Sequence, residues 1–431
     1  MNGLEGKYDV LVIGAGNVGL ATAYHIKRRD PSSKVLMVDK APGPGRESTS
    51  KSACAIRMVY TSRTNVMLAK STVEFYKHVQ ERMGIDLGIK WVTYLFLLDD
   101  NKFWEILNAV KRHSGDFGLR YKTYDAKELK ELIPSLNCEV SKSEEAKMMG
   151  LVDIDYGFQI LDAGILNTDL LTRFYEREFR EMGGDVLYNA RVEEILVEAE
   201  KPLGLPREPV IWQKARASGV RTTKGIIKAD TVVVAAGAWS HTLLDPIGID
   251  CHCRPKKRQC FVIRAEDEGL RELLNTEGLN DEGSLPFLIL PAPFGIWIKP
   301  DVDSFWVGYA DEFPRAVGVE EDPRPEVDFY RYGIYPPLSN YLPQFKDKMP
   351  DNSWAGHYTD SPDHLPVAFK YHNIIVVDSS GTGILKGDAL GRIASSLYFN
   401  EERATLFGGY TFSVKDLSLH ERNVERERTW L

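Results

Sequence analysis

Hydrophobic and polar positions divide the chain into well-marked elements. The run Tyr8-Asp-Val-Leu-Val-Ile13, closed by Gly14, predicts a buried strand; Leu20 to Ile26 then follows helical spacing, and Lys34 to Asp39 is a second apolar strand ending on an acid. Apolar positions recur near the helical period over 65–84. Asp125 to Ile133 reads as a short capped helix ended by Pro134, and Thr168 to Met182, after a turn over 162–167, as a helix stopped by Gly183-Gly184. Asp185 to Leu196 and Ala229 to Ala235 read as strands, with Lys201 to Arg216, which carries three prolines, as a surface excursion between them. Between about 251 and 312 the β-rich runs Gln259 to Arg264, Phe287 to Leu290, Gly295 to Lys299 and Phe305 to Tyr309 predict an antiparallel sheet separate from the first unit. Ile384 to Tyr398 closes the series as a helix.

The first three elements form a βαβ unit of about 30 residues with Gly14-x-Gly16-x-x-Gly19 at its turn and Asp39 on its second strand. Each piece has a task. Gly14 turns the chain, Gly16 lets backbone approach a pyrophosphate, and Gly19 lets helix and strand pack closely. The helix N-terminus attracts the anion, and Asp39 can accept hydrogen bonds from a ribose diol.

Composition narrows the class. The 431 residues suit two domains or more, and 43% hydrophobic with 27% charged residues is the balance of a folded globular chain. The net charge of −8 argues against nucleic acid, or an anionic membrane surface, as the main partner. Five cysteines, Cys54, Cys138, Cys251, Cys253 and Cys260, are odd in number and sparse, which fits a reducing compartment. No run reaches the ~18 apolar residues of a membrane span and the start lacks a leader pattern. The expectation is a cytoplasmic protein, compatible with peripheral attachment to a membrane.

Three further motifs stand beside the glycine turn: Val232-Val-Val-Ala-Ala236-Gly237, Gly356-His-Tyr358-Thr-Asp-Ser-Pro362-Asp363, and Ser380-Gly381-Thr382-Gly383 opening the last helix. In this order they resemble the flavin-dependent amine and amino-acid oxidoreductases of the D-amino-acid-oxidase superfamily, in particular the sarcosine oxidase, glycine oxidase and archaeal dye-linked L-proline dehydrogenase group. The resemblance implies an α/β fold in which a Rossmann-like FAD-binding domain (1–88, 155–248 and 352–400) interleaves with an antiparallel-sheet α+β substrate domain (89–154 and 249–351), followed by a tail over 401–431. It implies FAD held by Gly14, Gly16, Asn17, Val18, Gly19, Asp39, Lys40, Ser50, Cys54, Val192, Ala236, Gly237, Gly381, Thr382, Gly383, Ile384, Leu385 and Lys386. The Gly381 to Gly383 turn could stabilise the negative charge of reduced flavin.

The same resemblance supplies active-site candidates. Ala55-Ile56-Arg57-Met-Val-Tyr60 places Arg57 where the group binds the substrate carboxylate, a task that a planar guanidinium can perform bidentately. Lys386 is a second candidate cation, although the family's lysine matches Leu385, one residue earlier. Tyr358 matches an active-site tyrosine, and Trp297 falls near an aromatic wall of the pocket. Two mismatches redirect the reading: Ala310 replaces a histidine after Gly308-Tyr309, which weakens a sarcosine assignment, and Trp306 replaces an oxygen-activating lysine, which favours electron transfer to a quinone or carrier protein. Gly356 replaces the cysteine that anchors FAD in monomeric sarcosine oxidases, and no histidine lies between Ser48 and Arg57, so FAD is expected without a covalent bond.

These residues imply oxidation of a small amino acid, L-proline foremost, by hydride transfer from Cα to flavin N5. Three alternatives stay open: a sarcosine- or glycine-type oxidase, a 2-hydroxyacid dehydrogenase using His357 or His364 as base, and a non-catalytic FAD-bearing assembly or electron-transfer subunit. Cys251-His252-Cys253 with Cys260 lacks zinc-site spacing, so no metal is expected. The basic run from Arg254 to Arg258 fits a domain crossover before Gln259, and the tail ends in an apolar tip, Thr429-Trp430-Leu431, that could dock at the pocket mouth or on a partner.

Overall fold

The computed structural model describes residues 6–311 and 318–427. The apolar runs read from the sequence become two sheets of eight described strands each. In the first, Lys7–Ile13 lies parallel to Val35–Val38 on one side and Gly225–Val234 on the other, and Asp185–Leu187 and Ile374–Asp378 extend the parallel set outward. All four residues of Val35–Val38 are buried, as a strand covered on both faces requires. Val192–Ala199 and Ala215–Thr222 form a hairpin against Gly225–Val234.

The second sheet runs in the order Asn352–Asp360, Arg254–Arg264, Ser304–Tyr309, Ile296–Pro300, Phe287–Ile289, Tyr94–Leu98, Tyr156–Ile160, Tyr121–Asp125. It is antiparallel apart from the pairing of Phe287–Ile289 with Tyr94–Leu98. Strands Tyr156–Ile160 and Asn352–Asp360 belong to this sheet, so the boundaries drawn at 155 and 352 each assign one of its strands to the other unit. The predicted turn over 162–167 contains the strand Ala163–Ile165, which pairs with Ala55–Arg57 and so fixes the backbone that carries Arg57. Gly164 lets the Lys90 backbone approach the same strand, because a β-carbon there would lie 2.2 Å from the Lys90 carbonyl oxygen.

Helices cover the first sheet. Asn17–Arg29 packs on Gly383–Tyr398, and a buried polar cluster joins them: Asp388 Oδ1 accepts from His25 Nε2 at 2.6 Å and from Tyr175 at 3.2 Å, while Arg392 Nε donates to Oδ2 at 2.6 Å. Burial lowers the His25 pKa, whereas the His25 and Arg392 contacts outweigh burial and hold Asp388 below the usual carboxylate range. The cluster is a histidine and an arginine around one buried carboxylate. The tail is not a solvated appendage: Arg403–Thr405 pairs with Thr411–Ser413, Phe407 meets Phe75 edge to face, and Leu417 is buried. The apolar tip over 429–431 lies outside the described residues. Among those residues no helix is long and apolar enough to cross a membrane.

Candidate active site

A cavity of about 590 Å³ lies between the two sheets. Its floor comes from the carboxyl ends of the parallel strands, where Ile13, Gly14, Val38, Asp39, Ala235 and Ala236 emerge, which is where open α/β sheets place ligands. Gly14 turns at a φ of +106°, and a β-carbon on Gly19 would stand 2.0 Å from the Gly14 carbonyl oxygen, so the helix starts hard against the turn. Asp39 is locked in place: Oδ2 accepts from Ala15 N at 2.5 Å and Oδ1 from Ala41 N at 2.7 Å, while burial raises its pKa.

Two long helices begin at this cavity without a cap from the side chain at the cap position. Asn17–Arg29 has Gly16 there and Gly383–Tyr398 has Thr382; Asn17 N donates instead to Thr49 Oγ1 at 3.2 Å. Each turns the positive end of a helix dipole, roughly half a charge, towards the space. Asn17 bridges the two, its Nδ2 donating to Gly383 O at 3.1 Å and to Tyr76 Oη at 3.0 Å. Its Oδ1 is buried without a hydrogen-bond partner among the described residues.

Most of the predicted residues line this one space: Gly14, Gly16, Asn17, Val18, Asp39, Lys40, Cys54, Val192, Ala236, Gly237 and Gly381 to Leu385, with Arg57, Trp297 and Tyr358. Three do not. Gly19 packs against Gly14. Ser50 is turned away, its Oγ donating to Glu47 O at 3.1 Å, and Ser48, Thr49 and Ser52 line the wall instead. Lys386 is fully buried behind the wall and donates to Gly381 O. One step along a helix rotates a side chain by ~100°, so Leu385 takes the wall position and Lys386 points under the turn. Burial pushes the Lys386 ammonium down to about 7, against the opposing pull of Glu427, Asp378 and Asp360.

Arg57 is 2% exposed, with its guanidinium carbon 4.7, 5.6 and 5.8 Å from the ring centres of Tyr60, Phe96 and Tyr94. Tyr60 Oη lies 3.2 Å from Thr382 Oγ1, which ties the Arg57 segment to the glycine turn. Tyr358 carries Arg258 at 5.3 Å over its ring, and burial raises its hydroxyl pKa. Trp297 stacks on Phe287 at 5.8 Å. His357 Nε2 accepts from Glu320 N at 2.8 Å, and burial lowers its pKa. His364 Nδ1 lies 2.8 Å from Asp360 Oδ1, and Lys256 meets Asp360 Oδ2 at 2.7 Å. Burial would raise the Asp360 pKa, but those two partners bring it below the usual range.

Two contributors escape sequence reasoning. Glu427, from the tail, lines the cavity while its carboxylate accepts from Thr61 and Ser62, backbone and hydroxyl, and from Asn65. Glu321 closes on Lys40 at 2.8 Å and Arg191 at 2.7 Å, and the Arg191 contact above all holds it down at about 2. Lys40 also lies 3.3 Å from the centre of the Trp239 ring. Neither acid belongs to a motif, and the tail's charge run reads as a solvated surface. Of the paired cysteines, Cys251 Sγ bonds the Cys253 carbonyl, while Cys260 reaches the cavity on a separate strand.

A glycine turn with two helix N-termini and a fixed carboxylate at the second strand's end suits a dinucleotide whose pyrophosphate and ribose need those groups, and the space continues past them to a buried arginine. This is the build of a flavin-binding oxidoreductase. The chain belongs to the DAO family of FAD dependent oxidoreductases, whose family model matches residues 9–397, and FAD is its cofactor. It is 21% identical over 430 residues to FAD-dependent oxidoreductase domain-containing protein 1 of Xenopus laevis, covering 90% of this chain and 78% of that one. It is 26% identical over 244 residues to peroxisomal sarcosine oxidase of Mus musculus, covering 56% and 54%. Its fold matches that of L-proline dehydrogenase from P. horikoshii with a TM-score of 0.72 at 22% identity, over 91% of this chain and 94% of that one. The expected α/β fold, a Rossmann-like FAD domain with a substrate domain, is thereby met.

Proposed function

We propose that the protein is an amino-acid dehydrogenase that oxidises a small secondary α-amino acid, L-proline foremost, to its imine and hands the electrons to an acceptor other than oxygen. The observation that carries this reading is Arg57, a buried guanidinium walled by three aromatic rings at the cavity. Bound FAD supplies the hydride acceptor. The chain's own residues then have three tasks. Arg57 fixes the substrate carboxylate and so presents Cα in one orientation; Tyr358 and Trp297 enclose the apolar ring and exclude water; the uncapped end of Gly383–Tyr398 favours negative charge next to it. A substrate amine that enters deprotonated needs no base.

Trp306 supports the non-oxygen acceptor. It stands at the place where the resemblance puts an oxygen-activating lysine, and Lys299 Nζ is held 3.4 Å from the centre of its ring. Non-covalent attachment of FAD is supported by Gly356 and by Cys54, whose Sγ lies 3.8 Å from Thr168 Oγ1. Flavin that stays with the protein after acid precipitation would contradict that attachment.

A second reading has one observation in its favour. His364 and Asp360 form a base with an orienting carboxylate, which oxidation of a 2-hydroxy acid would use. Anaerobic mixing with proline, sarcosine, glycine and small 2-hydroxy acids separates the two. Loss of the flavin's visible absorbance with proline, followed by rapid reoxidation by a dye and slow reoxidation by air, is the expected result. Bleaching by hydroxy acids alone favours the second reading, and bleaching by none favours a non-catalytic role.

A further inference from the structure

The hairpin strands Val192–Ala199 and Ala215–Thr222 are joined by residues 200–214, where Leu203, Leu205, Ile211 and Trp212 are 60%, 45%, 103% and 67% exposed. Elsewhere among the described residues no stretch of fifteen holds more than two exposed large apolar side chains, Val327 and Tyr332 being the nearest pair along the chain. The joint is a built structure. Glu208 Oε1 accepts from Leu203 N at 2.8 Å and Leu205 N at 2.9 Å, Val210 N donates to Gln213 Oε1 at 2.8 Å, and Gln213 N donates to Val210 O at 2.8 Å. Pro202, Pro206 and Pro209 have no N–H to satisfy. The loop thus pairs the N–H groups of Leu203, Leu205, Val210 and Gln213 within itself while turning its apolar side chains outward.

We propose that this loop anchors the protein to the surface of a phospholipid bilayer. Ile211 and Trp212 lead, with Leu203 and Leu205 behind them, and the exposed Lys201, Arg207 and Lys214 meet lipid phosphates. The four N–H groups that the loop pairs within itself lower the cost of entering an apolar phase. A tryptophan among aliphatic side chains bracketed by cations matches the layering of a membrane interface. The chain's net charge of −8 argues against an anionic surface as the main partner, but ions screen charges beyond roughly 8–10 Å, so the three cations of the loop act locally where the apolar side chains lead. The inference is independent of the substrate.

Flotation of the full-length, FAD-loaded protein with vesicles tests it, using phosphatidylcholine alone and phosphatidylcholine mixed with phosphatidylglycerol at near-physiological salt. The wild-type protein is expected to float with both, more strongly with the mixture. The double variant Ile211→Asp, Trp212→Asp is expected to lose at least tenfold in bound fraction while keeping its flavin content and melting temperature. The double variant Lys201→Glu, Lys214→Glu should lose only the preference for the mixture. Wild-type protein that stays with neither vesicle, or apolar-loop variants that float equally well, would overturn the proposal. So would sedimentation showing that Ile211 and Trp212 hold together two copies of the chain without lipid.

Discussion

The ring of Tyr358 occupies the volume that any side chain at residue 381 would need: a β-carbon there would lie 1.6 Å from Tyr358 Cζ. Gly381 has a φ of +43°, and its carbonyl receives the Lys386 ammonium group from behind. Tyrosine, turn and lysine are therefore one assembly, reaching from the second sheet across the cavity to the start of Gly383–Tyr398.

Gly381→Ala must displace either the ring or the turn. Overpacking of this kind costs about 1–3 kcal/mol, and here it also moves a cavity wall. A fall in melting temperature together with reduced flavin content is expected by thermal denaturation and absorbance; wild-type values for both would contradict the contact.

Arg57→Met keeps most of the volume and removes the charge. A charged hydrogen bond contributes about 1.5–3 kcal/mol, so losing a bidentate carboxylate contact should raise KM for proline by about a hundredfold or more, with flavin still bound. Unchanged KM in steady-state kinetics would remove Arg57 from substrate binding.

Lys386 gives stability a pH dependence whose sign can be worked out. Its folded pKa is about 7 against an ordinary 10.5, so between these values the unfolded chain holds a proton that the folded protein lacks. Its contribution to stability therefore rises as pH climbs from about 7 towards 10.5, by an amount on the order of a few kcal/mol, and the deficit is complete below 7. Denaturant melts of Lys386→Met should show that increment missing relative to the wild-type protein. Parallel curves for the two would mean that Lys386 keeps its charge when folded.

Glu427→Ala would take the carboxylate from the N–H groups of Thr61 and Ser62, both hydroxyls and the Asn65 amide. The loss is expected to be about 2–4 kcal/mol, from buried donors left unsatisfied. Limited proteolysis should then cut within 418–427 while the rest of the chain persists, and a tail as resistant as before would contradict the docking.

What the sequence revealed follows the range of the interactions. The glycine turn and the parallel strands were legible because their constraints are local: Gly14 and Gly19 touch each other, and Val35–Val38 is apolar throughout. Arg57 was legible through its neighbours in a motif. Lys386 stands one residue of helix register from the family's lysine, an offset the motif itself displays and whose effect on the side chain's direction the fold then fixes. Ala163–Ile165 is too short and glycine-containing to announce itself as a strand. Glu427 was invisible because its partners Thr61 and Ser62 lie 366 and 365 residues away.

The Asp388 cluster sets an order of events. His25 and Asp388 are 363 residues apart, so while the chain is being made, the first βαβ unit emerges with one side of Asn17–Arg29 uncovered. That helix waits for nearly the entire chain before its permanent partner arrives, a delay that favours slow maturation and transient exposure of apolar surface. The cofactor cavity is closed by the last long helix to be synthesised, which makes flavin uptake a late step and its appearance a clock for completed folding.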